Sequence, residues 1–171
     1  MPKIFLTNLG KYNEGELIGM WVKLPFTDEE IETCLEKIGI DGQYEEYFIT
    51  DYEDCFYKVG QYESIYALNE FIQEALLVGN NDLINAVFAY ECIDNADDAL
   101  KILENIEGNY TLHTDIQSEE DYGHYYVETY HSEISNNNFV SMYLDYETIG
   151  SCEAINNNAT FTKYGLLEKS G

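Results

Sequence analysis

Residues 17–39 read LIGMWVKLPFTDEEIETCLEKIG and contain a strand, its stop and a helix in succession. Leu17 to Leu24 is rich in residues that suit a pleated sheet, and Pro25, which has no N–H to give a ladder, closes it. Thr27 is placed to cap the following helix, with Glu30 at the position that returns the bond. Ile31, Leu35 and Ile38 then recur at helical spacing before Gly39 ends the run. Upstream, Ile4 to Thr7 alternates weakly and leads into two turn signals, Asn8-Leu9-Gly10 and Asn13-Glu14-Gly15. Downstream, Tyr44 to Ile49 returns to aromatic and β-branched residues, and Asp51 to Tyr57 extends the same sheet. This order predicts a β-β-α-β module over residues 1–61.

Composition changes near Gly60. Ser64 precedes Ile65, Leu68, Phe71, Ile72, Ala75 and Leu76, an amphipathic helix expected to end at Gly79. A shorter helix carries Leu83, Ile84, Val87 and Phe88, and a third runs from about Asn95 with Gly108 as its stop. Residues 62–107 therefore read as a central helical module. In residues 108–171, a mixed α/β module, Tyr110 to Thr114 reads as a strand and Ser118 with Asp121 as a capping signal, while the aromatic run through Tyr130 fits helix or strand. Phe139 to Ile149 predicts one helix, Thr160 to Tyr164 the last strand, and Asn136–Asn138 and Asn156–Asn158 polar loops. The fold class is α+β, an elongated chain of three small modules: sheet-rich, helical, mixed.

The chain has 171 residues, 33 of them acidic against 8 basic, for a formal net charge of -25. Every basic residue is Lys. With 45% hydrophobic and 15% aromatic residues the chain folds rather than remaining disordered. Direct binding to nucleic acid or to an anionic membrane is excluded, because both need clustered cations. The opening MPKIFLTNLGKYNEG fits neither a signal peptide nor a membrane span, which places the protein in the cytoplasm. Cys34, Cys55, Cys92 and Cys152 lie far apart beside core-like residues and read as reduced packing thiols.

Charge is unevenly spread. Residues 1–58 hold 13 acids and 5 Lys, whereas residues 59–162 hold 19 acids and only Lys101. A single-sign field opposes compact folding, so a purely structural role explains it poorly; adaptation to salt or a general acidic interaction surface is the alternative. Duplex DNA carries one charge per about 1.7 Å, so the net charge matches about 40 Å of duplex for one chain and about 85 Å for a dimer. Carboxylates along one helix face recur every 5 to 6 Å or so, near the phosphate spacing. A basic groove built for DNA can accept such a surface. The candidate phosphate mimics are Glu63, Glu70, Glu74, Asp82, Glu91, Asp94, Asp97, Asp98, Glu104 and Glu107, with Asp115, Glu119, Glu120, Asp121, Glu128, Glu133, Asp145, Glu147 and Glu153 downstream. Only their aggregate is informative.

Catalytic signals are weak. Glu120, His124 and Glu128 share a helical face without a recognised metal motif, and Asp94–Asp98 lacks the glycine of a calcium loop. Neither a phosphate-cradling loop nor a nucleophile elbow is found, so no enzyme, metal or cofactor is assigned. The sixteen tyrosines serve a core or an interface.

The stretch IFLTNLGKYNEGELIGMWVKLP, residues 4–25, resembles the opening of the ArdA antirestriction proteins through Asn8-Leu9-Gly10, Tyr12-Asn13, Gly15, Gly19, Trp21 and Leu24-Pro25. YLDYETIGSC, residues 143–152, and the segment from Phe161 to Glu168 are similar too, with Gly150-Ser151 where such proteins often have Gly-Arg. The resemblance implies an elongated homodimer that mimics bent B-form DNA. It would occupy the DNA groove of type I restriction-modification enzymes, on their methyltransferase and specificity core, without catalysis. Carriage on conjugative elements is also implied. Asn8, Gly10, Asn13, Gly15 and Trp21 would then maintain turns and packing rather than touch the target.

Overall fold

The computed structural model describes residues 1–170. Contacts divide the chain into two compact units, with the boundary after Glu104.

The first unit runs β1 (Lys3–Asn8), α1 (Leu9–Asn13), β2 (Gly19–Lys23), α2 (Asp28–Lys37), β3 (Tyr47–Glu53), α3 (Ile65–Val78), α4 (Asn81–Glu91) and α5 (Ala96–Leu103). Its antiparallel sheet has the order β2-β1-β3. Ile4 and Leu6 of β1 are fully buried, as alternation requires of a strand with one face on a core. The capping box at α2 is formed: Glu30 N–H donates to the Thr27 hydroxyl, and the Thr27 N–H donates to the Glu30 carboxylate. Ile31, Cys34 and Ile38 are buried along it. The helices follow the expected periodicity, and Ile65, Leu68, Phe71, Ile72 and Ala75 of α3 form an apolar stripe closed by Gly79 in the left-handed region. Phe71 and Phe88 join Phe56 and Tyr57 in an aromatic cluster. Asn69 ties α3 to the segment after β2, accepting from Phe26 N–H at 2.7 Å and donating to the Phe26 carbonyl at 3.1 Å. Sheet and helices thus belong to one unit.

The second unit contains α6 (Ile106–Asn109), β4 (Tyr110–His113), α7 (Glu119–Tyr130), α8 (Ser132–Ser135), α9 (Asn138–Ser141), α10 (Tyr146–Asn156), β5 (Ala159–Thr162) and β6 (Gly165–Lys169). Its antiparallel sheet has the order β4-β6-β5. Ile116, Tyr122, Ala154 and Leu166 form the core. Two glycines let α7 and α10 cross closely: a Cβ on Gly123 would overlap the Tyr146 carbonyl, and one on Gly150 the Glu119 carbonyl.

The mixed α+β class is observed, with two small sheets and a helical middle. Several local expectations differ. Asn8-Leu9-Gly10 starts a short helix because Asn8 caps it, accepting from Lys11 N–H. The helix from Asn95 stops at Leu103, and Gly108 lies inside α6, where the Asn105 side chain occupies the space a Cβ would need. Phe139 to Ile149 is not one helix: Asp145 accepts from Thr148 N–H and begins α10, which runs on to Asn156. The last strand is β6, after a two-residue turn that uses Gly165 at φ +128. Cys34 is buried and Cys55 half-buried, but Cys92 and Cys152 are exposed rather than packed.

Candidate functional site

Among the nineteen acids of residues 59–162, all but Glu63, Glu91 and Glu153 are exposed. Glu70 and Glu74 stand four residues apart on α3, on one face. Asp82 lies in the first turn of α4, and Asp97 and Asp98 in that of α5, just after Asp94; Glu104 and Glu107 follow. In the second unit Glu119, Glu120 and Asp121 occupy the first turn of α7, Glu147 that of α10 and Glu133 that of α8. Asp115 precedes α7 and Glu128 lies near its end. A carboxylate in a first turn meets the positive end of the helix dipole, which offsets part of the repulsion from its neighbours.

Several of these acids are committed internally. Glu63 accepts from the Tyr57 hydroxyl at 2.5 Å, Ala96 N–H at 2.7 Å and Gly60 N–H at 3.1 Å, tying the loop before α3 to the start of α5. Burial, and then this bond, hold the Tyr57 phenol above its ordinary pKa. Asp98 pairs with Lys101 at 2.6 Å, and that bond holds its pKa below the ordinary value. Asp121 is held low by its bonding to Ser118 and Gln117, and Asp145 by the backbone and hydroxyl of Thr148. Glu153 bonds the half-buried Tyr126, whose phenol it raises. Glu70, Glu74, Glu119, Glu120 and Glu128 accept no side-chain bond from the described residues and stand free for an external donor.

The opening motif has a structural explanation. Asn8 is fully buried, and its amide donates to the carbonyls of Ile38 at 3.1 Å and Gly39 at 3.0 Å while its oxygen accepts from Lys11 N–H at 2.9 Å. One side chain thereby joins the start of α1 to the end of α2. Gly10 faces the Tyr44 ring where a Cβ would collide, Gly15 has φ +90, and Gly19 leaves room for Phe5 and Thr7. Trp21 packs edge to face on Phe5, and Tyr12 on Phe48. Asn13 is exposed, and Pro25 follows a cis peptide bond.

Among the described residues no three His, Cys, Asp or Glu side chains converge to hold a metal. His124 stacks on Tyr146 with centroids 3.7 Å apart, and His113 meets Glu168 at 3.2 Å, whose other oxygen takes the Tyr122 hydroxyl. Among the described residues no helix is long and apolar enough to cross a membrane. Charge counting passed over Asp51, an exposed acid on the N-terminal sheet, because it lies outside the most acidic segment; only strand register places it beside aromatic rings.

The model of the antirestriction protein family ArdA matches residues 4–168, nearly the whole chain. No curated protein matches it.

Proposed function

The chain belongs to the ArdA antirestriction family, whose members inhibit type I restriction enzymes without catalysis, and from that premise we propose that it acts as a DNA mimic. It occupies the DNA-binding groove of the restriction-modification enzyme, on the methyltransferase and specificity core, as a cytoplasmic homodimer. The supporting observation is the exposure of nearly all acids between residues 59 and 162 in a stretch with a single Lys. Lys and Arg donors of the groove meet carboxylates in place of phosphates, and bidentate Arg pairing suits each of them. Many exposed pairs make association fast and salt-sensitive.

The test is cleavage of a plasmid by a purified type I enzyme with the protein in excess. Inhibition is expected, relieved by raising the plasmid concentration. The combined reversal Glu70→Lys, Glu74→Lys, Glu119→Lys and Glu120→Lys, with fold verified by circular dichroism, is expected to weaken inhibition at least about tenfold, while one Glu→Gln change does little. Unchanged inhibition by the reversed protein would sink the mimicry reading.

A further inference from the structure

Strand register puts Trp21, Phe5 and Asp51 in one row across the N-terminal sheet. Phe5 lies opposite Trp21 in the β1–β2 pair and opposite Asp51 in the β1–β3 pair, and opposed residues share a face. This row belongs to a groove of about 460 Å³ whose other walls include Tyr12, Leu17 and Phe48. The Phe5 and Trp21 rings stand 5.4 Å apart, and those of Tyr12 and Phe48 5.2 Å. Tyr12 and Leu17 remain 52% and 70% exposed, Phe5 and Trp21 are half-buried and Phe48 is buried, so the groove opens to solvent chiefly at Tyr12 and Leu17.

The cations beside the groove are already engaged. Lys3 pairs with Glu53 at 2.8 Å and stands 4.4 Å from the Trp21 ring centre; Lys11 pairs with Glu14 at 3.2 Å and lies over the Tyr44 ring. Asp51 is exposed, and among the described residues its carboxylate accepts only the N–H of Tyr52 at 2.8 Å. Lys3 over Trp21 shows what these ring faces attract.

The exposed Tyr12 ring and the half-buried Phe5 and Trp21 rings, beside a carboxylate with no ion pair, suit one side chain best. A guanidinium stacks flat on rings while its edge donates two parallel bonds to a carboxylate, whereas an ammonium is a point charge on a flexible stem. The chain contains no Arg, so the donor is not a second copy of it, and a net charge of -25 draws basic segments toward it. We propose that this groove binds an arginine side chain presented by a basic segment of a partner protein, stacked against the aromatic walls and bonded to Asp51. The site is separate from the helical acids and does not require the mimicry reading.

Trp21 is the only tryptophan, so its emission reports the groove directly. The full chain is titrated with acetyl-Gly-Arg-Gly-Arg-Gly-amide and with its lysine and citrulline counterparts at physiological ionic strength. The arginine peptide is expected to shift Trp21 emission and to bind about fivefold tighter than the lysine peptide, with citrulline silent. Asp51→Asn is expected to weaken the arginine peptide about tenfold, and Tyr12→Ala, at an exposed position, severalfold. Equal binding of the arginine and lysine peptides with unmoved emission, or parent-like binding by both variants, would overturn the proposal. Plasmid protection, measured on the same samples, reads the antirestriction function independently of the peptide result.

Discussion

Asn8→Ala separates a motif residue that holds the fold from one that touches the target. The change deletes the N-cap of α1, about 1 kcal/mol by analogy with other caps, and strips partners from two carbonyls. The bond to Ile38 is buried, so its carbonyl carries a full desolvation penalty of roughly 1–3 kcal/mol, while Gly39 is exposed and water replaces most of its loss. The sum is about 3 kcal/mol, a large share of the roughly 5–15 kcal/mol that a domain has. Asn8→Asp sharpens the test: a carboxylate still accepts from Lys11 but cannot donate, and it faces two carbonyl oxygens. It is expected to be at least as destabilising as Ala at neutral pH and to recover partly in acid, where the protonated group regains one donor. Urea unfolding followed by Trp21 emission measures this in the unit that contains Asn8. An unfolding midpoint that stays at the parent value in both variants, with plasmid protection lost, would refute the packing role and make Asn8 a contact residue.

Gly150→Ala gains about 1 kcal/mol of helix propensity but drives a methyl into the Glu119 carbonyl, a backbone atom that cannot swing aside; a net loss of about 2 kcal/mol or more is expected, read by calorimetry. Glu63→Ala removes the acceptor of Tyr57, Gly60 and Ala96, so melting temperature should fall while protection of plasmid at low temperature persists, unlike the effect of reversing free acids. Asp145 has a pKa held below its ordinary 3.8 by Thr148, so its contribution to stability is complete above that value and lost as pH falls through the depressed one. Asp145→Asn keeps the cap without titrating, and its acid unfolding curve should be shallower below about pH 4 than that of the parent.

Much of this was legible where one local rule dominated. Thr27 to Gly39 was readable because cap, box, apolar spacing and stop all agree, and the stripe of α3 because its burial follows its period. Failures cluster where a side chain overrides the pattern. Asp145 restarts a helix inside a run whose hydrophobic spacing continues, and Asn105 folds over Gly108 so that a usual stop residue becomes a small residue within α6. Gly123 and Gly150 gave no sign in one dimension that they face each other's helices. The acids were legible as a population, since most charge must face water, but not individually: nothing local distinguishes Glu63, which draws three donors through the fold, from Glu70, which draws none.

The choice of capping residues bears on how the charge is used. A chain with 33 acids has carboxylates to spare for N-caps, yet Asn8, Thr27, Ser64, Asn80, Asn95, Ser118 and Asn137 do that work, and Asp145 is the one acid whose side chain caps a helix among the described residues. Asp is as good a cap as Asn or Ser, so helix stability alone does not demand this division. Neutral caps leave Asp82 of α4, Asp97 of α5 and Glu119 and Glu120 of α7 exposed in the first turn without an internal bond, where the dipole favours their charged form, whereas Asp98 and Asp121 are engaged locally. A surface meant only to repel other molecules gains nothing from keeping those oxygens uncommitted; one meant to receive Lys and Arg donors does, because each bond made inside the chain is a bond unavailable to the partner.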